Sequence, residues 1–430
     1  MSPEVKENLF AHLLDSMHEH RDILDCLEYE VHERIYYYGA QFKGDRDDTT
    51  FLSKVSFFYK HAKILLYILA GKLTREKNTV GARGLSSSSH NYDQMLELEG
   101  CHIDRAPWSP RSGKSLGITF NGYLDFIKMD FRIQFYDFYD LVSSQNIVAI
   151  RNYKRIFKAW VKQADYKFLI VRDDLNFWSR LSLAVFKELG LPSISMAHGG
   201  TTMVYEGTAD IRASYITMWG EMQANFHIQN GYDPEKISVT GHPEYKFSHQ
   251  ELRFSFDEIL VVAKSMAGVV TGKKKFIEDR GNSIMYLMII ERVLKDLGIK
   301  SVSFRPHPSE SYDWYSKFID TKFFREDKKT LSNSLQASTL VIGPKSTVLV
   351  DAMAHGVNYV IFEPTYDGKD ILFGAVTPPF DGSDTDFPAA SNASELDHII
   401  RNKTSIKVEA LGKITKMSWN GESFTEIFQR

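Results

Sequence analysis

The chain has 430 residues, room for about two or three domains of ordinary size. Apolar residues make up 43% and charged residues 25%, ordinary globular usage that excludes disordered and fibrous classes. A net charge of −3 excludes a global positive field that would draw the molecule onto nucleic acid, and two cysteines, Cys26 and Cys101, make neither a disulfide scaffold nor paired zinc-ligand spacing.

The N-terminus, MSPEVKENLFAHLLDSMHEH, carries no basic segment, apolar run and small-residue cleavage site in the order of a signal peptide, so a reducing cytoplasm is expected. Leu9, Leu13, Leu14, Met17 and Ile23 recur at helical spacing, and residues 1–77 read as a helical N-terminal extension of the first domain. The longest apolar stretch, Ile64 to Ala70, falls short of the ~20 residues of a membrane-spanning helix. Phe51 to Lys77 mixes bulky apolar residues with Lys54, Lys60, Lys63, Lys72, Arg75 and Lys77. Two readings stand for it: a peripheral contact with the inner face of the cytoplasmic membrane, or a buried helix with solvated lysines.

From Asn78 a short strand, a small-residue loop and a helix are predicted, then helices between Tyr123 and Lys162. Strands and helices then alternate: FLIV (168–171), a helix over 176–189, PSISMA from Pro192, YITMW (215–219), a helix to Asn230 and ISVTG (237–241). This makes 78–247 a Rossmann-like domain, assigned to the acceptor. The polar stretch from Gly241 to Asp257 reads as a linker. A second alternation fills 248–430, assigned to the nucleotide-sugar donor: EILVVA (258–263), a helix ending at Gly298, KSVSFRPHP, TLVIGP, a helix from about Ser346, and NYVIFEP. The expected fold is α/β with two Rossmann-like domains facing a cleft; ligands of open parallel sheets bind at the carboxyl ends of the strands.

Four residues in the second half suit a phosphate. His307 and Arg305 stand at the end of a strand in SFRPHPSE, where flanking prolines restrict the imidazole; a simple turn histidine is the alternative. Ser346 and Thr347 open a helix after the turn IGPK, either as anion ligands or as plain helix caps. In the first half, Asp173 and Asp174 follow a strand and are candidates for the general base, Asp174 equally for an N-cap. His198, before Gly199 and Gly200, is the rival base. Asp384-Thr385-Asp386 has the D-x-D pattern of some metal sites but sits in a turn-rich loop, so no metal and no cofactor is expected. Lys273 to Lys275 read as a solvated loop or as a basic attraction for a charged substrate.

RPHP and ST together resemble the bacterial GT-B superfamily of CMP-sugar transferases for sialic acid and Kdo, and the related CDP-glycerol transferases. The run from SMAHGG through YITMWGEMQANFHIQNGYDPEKISVTGHPEY is similar to capsule and teichoic-acid biosynthesis proteins, so the resemblance covers roughly Phe168 to Pro364. It implies donor contacts at His307, Ser346 and Thr347. It also implies transfer from a nucleotide-activated sugar, a CMP-linked acidic sugar before CDP-glycerol, to a glycan or lipid-linked glycan of a capsule or lipopolysaccharide. Lys246 stands where relatives continue with aspartate after Tyr245, so no role of that aspartate carries over. A UDP-sugar 2-epimerase of the same double shape and a noncatalytic subunit of polysaccharide assembly are the competing readings.

Overall fold

The structure is a computed structural model, described over residues 3–32, 51–69, 81–87, 100–109, 116–130, 133, 138–171, 176–196, 212–229, 231–248, 251–264, 275–308, 310–366, 369–370, 380, 383–421 and 426. Helices α1 (Pro3–Ser16), α2 (Arg21–His32) and α3 (Phe51–Leu69) precede β1 (Arg83–Ser86) and β2 (His102–Arg105). There follow α4 (Phe120–Asp130), α5 (Phe138–Val142), α6 (Ser144–Ala164), β3 (Phe168–Val171), α7 (Phe177–Glu188), β4 (Ser193–Met196), β5 (Tyr215–Met218), α8 (Glu221–Gln229) and β6 (Ile237–Val239). The six strands form one parallel sheet in the order β2-β1-β3-β4-β5-β6.

FLIV is buried throughout because both faces of a parallel sheet are covered, which is why this strand reads as a continuous apolar run. Helix α6 begins where the Ser143 hydroxyl accepts the Asn146 N–H and stops at Asp165, in the left-handed region at φ 55°. The N-terminal helices belong to the same core: Phe10, Ile23, Leu27, Val31, Ile64 and Ile68 pack with Leu85, Phe157 and Phe186. On α3, His61, Ile64 and Ile68 face inward, whereas Tyr59, Leu66 and Leu69 are exposed. Among the described residues no helix is long and apolar enough to cross a membrane.

The second half has β7 (Ile259–Val262), α9 (Lys275–Asp296), β8 (Val302–Arg305), α10 (Tyr312–Tyr315), β9 (Phe324–Glu326), α11 (Leu331–Ala337), β10 (Leu340–Gly343), α12 (Val348–Ala354) and β11 (Tyr359–Phe362). A small antiparallel pair, β12 (Thr365–Tyr366) and β13 (Lys369–Asp370), precedes β14 (Ala389–Ala390) and α13 (Ala393–Arg401). The parallel sheet runs β14-β11-β10-β7-β8-β9. Two such sheets in one chain are the α/β, GT-B-type architecture expected above.

Among the described residues, two connections join the halves. Along the polar stretch after β6, Tyr245 donates its hydroxyl to Asp351 Oδ1 on α12 at 2.7 Å while stacking on His242 and meeting Trp219 edge-on. Beyond α13 the chain returns to the first sheet, where the Lys416 N–H donates to the Trp219 carbonyl at 2.7 Å and the Asn420 N–H to the Thr240 carbonyl at 2.8 Å. Gly220 admits this return: a Cβ there would lie 2.5 Å from the backbone of Ile414.

Candidate functional site

The topology of the second sheet selects one position along its edge. The chain leaves β7, builds β8 and β9 on one side, then crosses to build β10 and β11 on the other. The connections after β7 and β10 therefore diverge, and the crevice at their carboxyl ends is the switch point at which open α/β sheets bind ligands. Register aligns the three strand ends there, with Val262 of β7 opposite Arg305 of β8, and Val261 of β7 opposite Ile342 of β10. Neighbouring strands lie about 4.8 Å apart, so the ends of β8 and β10 are roughly 10 Å from one another.

Each strand-end loop is pinned by a buried tyrosine. Tyr286 of α9 donates to the Val262 carbonyl at 3.0 Å, Tyr315 of α10 to Glu310 Oε2 at 2.7 Å, and Tyr359 of β11 to the Pro344 carbonyl at 2.6 Å. Burial raises the pKa of all three phenols, so they are neutral donors. Gly343 lets the third reach its target, since a Cβ there would lie 2.1 Å from the Tyr359 hydroxyl and 2.3 Å from Val262 Cγ2.

The predicted donor residues divide on this scaffold. His307 lies half-buried just past β8, where its carbonyl accepts the Glu310 N–H at 2.8 Å. Burial lowers its pKa and the nearby Glu310 carboxylate opposes the shift, so the ring is neutral. Ser346 Oγ accepts the Val348 N–H at 3.2 Å and hydrogen-bonds the Tyr359 hydroxyl, so it helps to start α12. Thr347 adopts helical angles and makes no side-chain cap bond. Arg305 turns along the edge toward β9, away from β7: its guanidinium donates twice to the Lys329 carbonyl, at 2.6 and 3.0 Å, and pairs with the buried Asp327 carboxylate at 3.4 Å. It ties β8 to the loop after β9.

Two charged residues that the sequence reading passed over stand on the same edge. Lys264 follows β7, and Glu363 follows β11 with its carboxylate only 4% exposed; they are 3.6 Å apart. Glu363 Oε1 also accepts the Lys345 N–H at 2.6 Å. The signal was present: each is the first charged residue after a buried apolar strand.

Asp173, Asp174 and His198 lie outside the described residues, as do Lys273 and Lys274; the first two follow β3 in sequence and His198 follows β4. Asp384 and Asp386 are engaged by lysines, with Lys413 Nζ 2.6 and 2.9 Å from their carboxylates and Lys407 Nζ 3.0 Å from Asp386. Both carboxyl pKa values are lowered, chiefly by the Lys413 hydrogen bond. Among the described residues no group of three His, Cys, Asp or Glu gathers as metal ligands would.

No family model matches the sequence, and no curated protein matches it. Solved structures with a similar fold include a glycosyltransferase from Rickettsia africae ESF-5, 11% identical with a TM-score of 0.49, covering 82% of this chain and 98% of that one. The S. aureus MnaA–UDP co-structure is 10% identical with a TM-score of 0.45, covering 81% and 95% of the two chains. A UDP-GlcNAc 2-epimerase from Methanocaldococcus jannaschii is 12% identical with a TM-score of 0.45, covering 81% and 98%. At these identities the likeness concerns the course of the fold and carries nothing about chemistry.

Proposed function

We propose that this protein is a glycosyltransferase of the GT-B type, transferring a sugar from a nucleotide-activated donor, with a cytidine nucleotide and an acidic sugar such as Kdo or sialic acid as the preferred pair. The observation that carries the reading is the placement of the RPHP and ST segments on either side of the β7 switch point. There a neutral imidazole follows β8 and the Ser346 turn follows β10, the two strands that flank β7. In this reading His307 donates to a phosphoryl oxygen, Ser346 and Thr347 shape the loop that meets the donor, and Arg305 braces the end of β8 against the loop after β9.

On the acceptor side Asp173 or Asp174 takes the proton of the attacking hydroxyl, with His198 as the alternative base. The acceptor is a glycan or lipid-linked glycan of a surface polysaccharide. The exposed Tyr59, Leu66 and Leu69 on α3 supply the peripheral membrane contact within 51–77.

A thermal-shift screen with CMP, CDP, UDP and GDP at equal concentration tests the donor, because a ligand that binds only the folded state raises its stability. CMP or CDP should stabilise most. Equal or greater stabilisation by UDP would overturn the cytidine assignment, and turnover of UDP-GlcNAc without acceptor would replace transfer by epimerisation. Asp173→Asn and Asp174→Asn should leave nucleotide binding intact while one of them lowers transfer by about 100- to 10,000-fold. If both turn over like the parent, the base is elsewhere.

A further inference from the structure

We infer that Lys264 is the cation that receives the anionic part of the ligand, a phosphate or diphosphate, and that Glu363 holds it in readiness over the end of β10. The inference rests on the nucleotide-donor reading for the identity of the ligand, but its geometry stands separately. In the sheet, β10 lies between β7 and β11. The ion pair between Lys264, after β7, and Glu363, after β11, therefore spans the carboxyl end of β10, above the turn Gly343–Pro344–Lys345–Ser346. Along this edge the order is His307, Lys264, then the Ser346 turn: an imidazole N–H, an ammonium and a loop pinned by Tyr359.

The separation of 3.6 Å from Lys264 Nζ to Glu363 Oε1 is longer than a hydrogen bond. Coulomb attraction holds the ammonium in place, and its three hydrogens can turn to a better acceptor. A phosphoryl oxygen is that acceptor, since charge-assisted N–H···O bonds close to about 2.7–2.9 Å. Glu363 keeps its Oε1 contact meanwhile, the Lys345 N–H at 2.6 Å. Arg305 does not compete for the role: its two terminal nitrogens bond the Lys329 carbonyl, and one of them pairs with the Asp327 carboxylate.

Calorimetric titration of the full chain with inorganic pyrophosphate, CMP and cytidine tests this on the parent, Lys264→Gln, Arg305→Gln and Glu363→Gln. Lys264→Gln should weaken pyrophosphate and CMP by about 10- to 100-fold, the loss of one hydrogen bond to a charged group, and leave cytidine unchanged. Arg305→Gln, which removes a brace of β8 and no ligand bond, should weaken pyrophosphate less than Lys264→Gln does. Glu363→Gln keeps the acceptor for Lys345 but removes the competing charge, so pyrophosphate should bind more tightly. The inference is overturned if Lys264→Gln binds pyrophosphate like the parent, or if the parent binds none. Should Lys264→Gln fail to fold, Glu363→Gln decides: tighter pyrophosphate supports the assignment, and unchanged or weaker binding rejects it. Pyrophosphate bound through Lys264 without any affinity for nucleotides keeps the anion site and rejects the nucleotide-sugar reading.

Discussion

His307 illustrates how much a residue's surroundings decide. An exposed histidine titrates near 6.5, but burial past β8 lowers this one, with Glu310 pulling weakly the other way. His227 of α8 is lowered by burial alone. A group that resists protonation only when folded contributes its full stability above the unfolded value and loses it as pH falls from about 6.5 through the lower folded value. Stability should therefore decline between pH 7 and 5 in denaturant titrations, and His307→Gln should make that decline shallower. The same substitution should weaken CMP binding at pH 7.5 while the variant stays folded; unchanged affinity would leave His307 a turn residue. Sequence offered His307 and Arg305 as equals. Only the structure separates them, because the acceptors that take Arg305, the Lys329 carbonyl and Asp327, come from the loop after another strand.

At the scale of elements, the strand ends are positioned by side chains from elsewhere in the second half. Tyr359 on β11 sets the turn after β10, and Gly343 makes room for it. Gly343→Ala should destabilise the protein by about 1–3 kcal/mol, as overpacking in a filled core does, with the loss seen as a lower denaturation midpoint at unchanged slope. Nucleotide affinity should fall with it, because the turn carrying Ser346 must shift. Most elements near the site were legible beforehand: FLIV, YITM, ILVV, LVIG and YVIF are strands where continuous apolar runs predicted them. In the two parallel sheets the strands passed over were β2, β9 and β14. HIDR and FRE carry too many charges to read as buried, and Ala389–Ala390 is too short. Asp104 sits fully buried in β2 because Arg83 Nε at 2.7 Å and the Tyr166 hydroxyl at 3.0 Å both donate to it.

At the scale of the molecule, one of the contacts between the two halves is that of Tyr245 with Asp351. Burial raises the Asp351 pKa, and the hydrogen bond from Tyr245 partly offsets this. Tyr245→Phe leaves that carboxylate without its donor and should destabilise the protein by about 1–3 kcal/mol at pH 7. Asp351→Asn should cost less in the Tyr245→Phe background than in the parent, a coupling that a double-mutant cycle in denaturant measures directly. Additive losses would show that the contact does not join the halves energetically.

The amino-acid sequence by itself determined the two alternations of strand and helix, because periodicity and continuous apolar runs are local properties that survive without knowledge of partners. It also determined that the RPHP and ST segments follow strands. The order of the strands was decided by tertiary structure, and with it the switch point at β7, because which strand pairs with which depends on contacts between residues far apart in the chain. So did the division of labour among the cations. Arg305 and Lys264 are both basic residues ending strands of one sheet; what separates them is that Asp327 and Lys329 lie within reach of one, and Glu363, across the end of β10, within reach of the other.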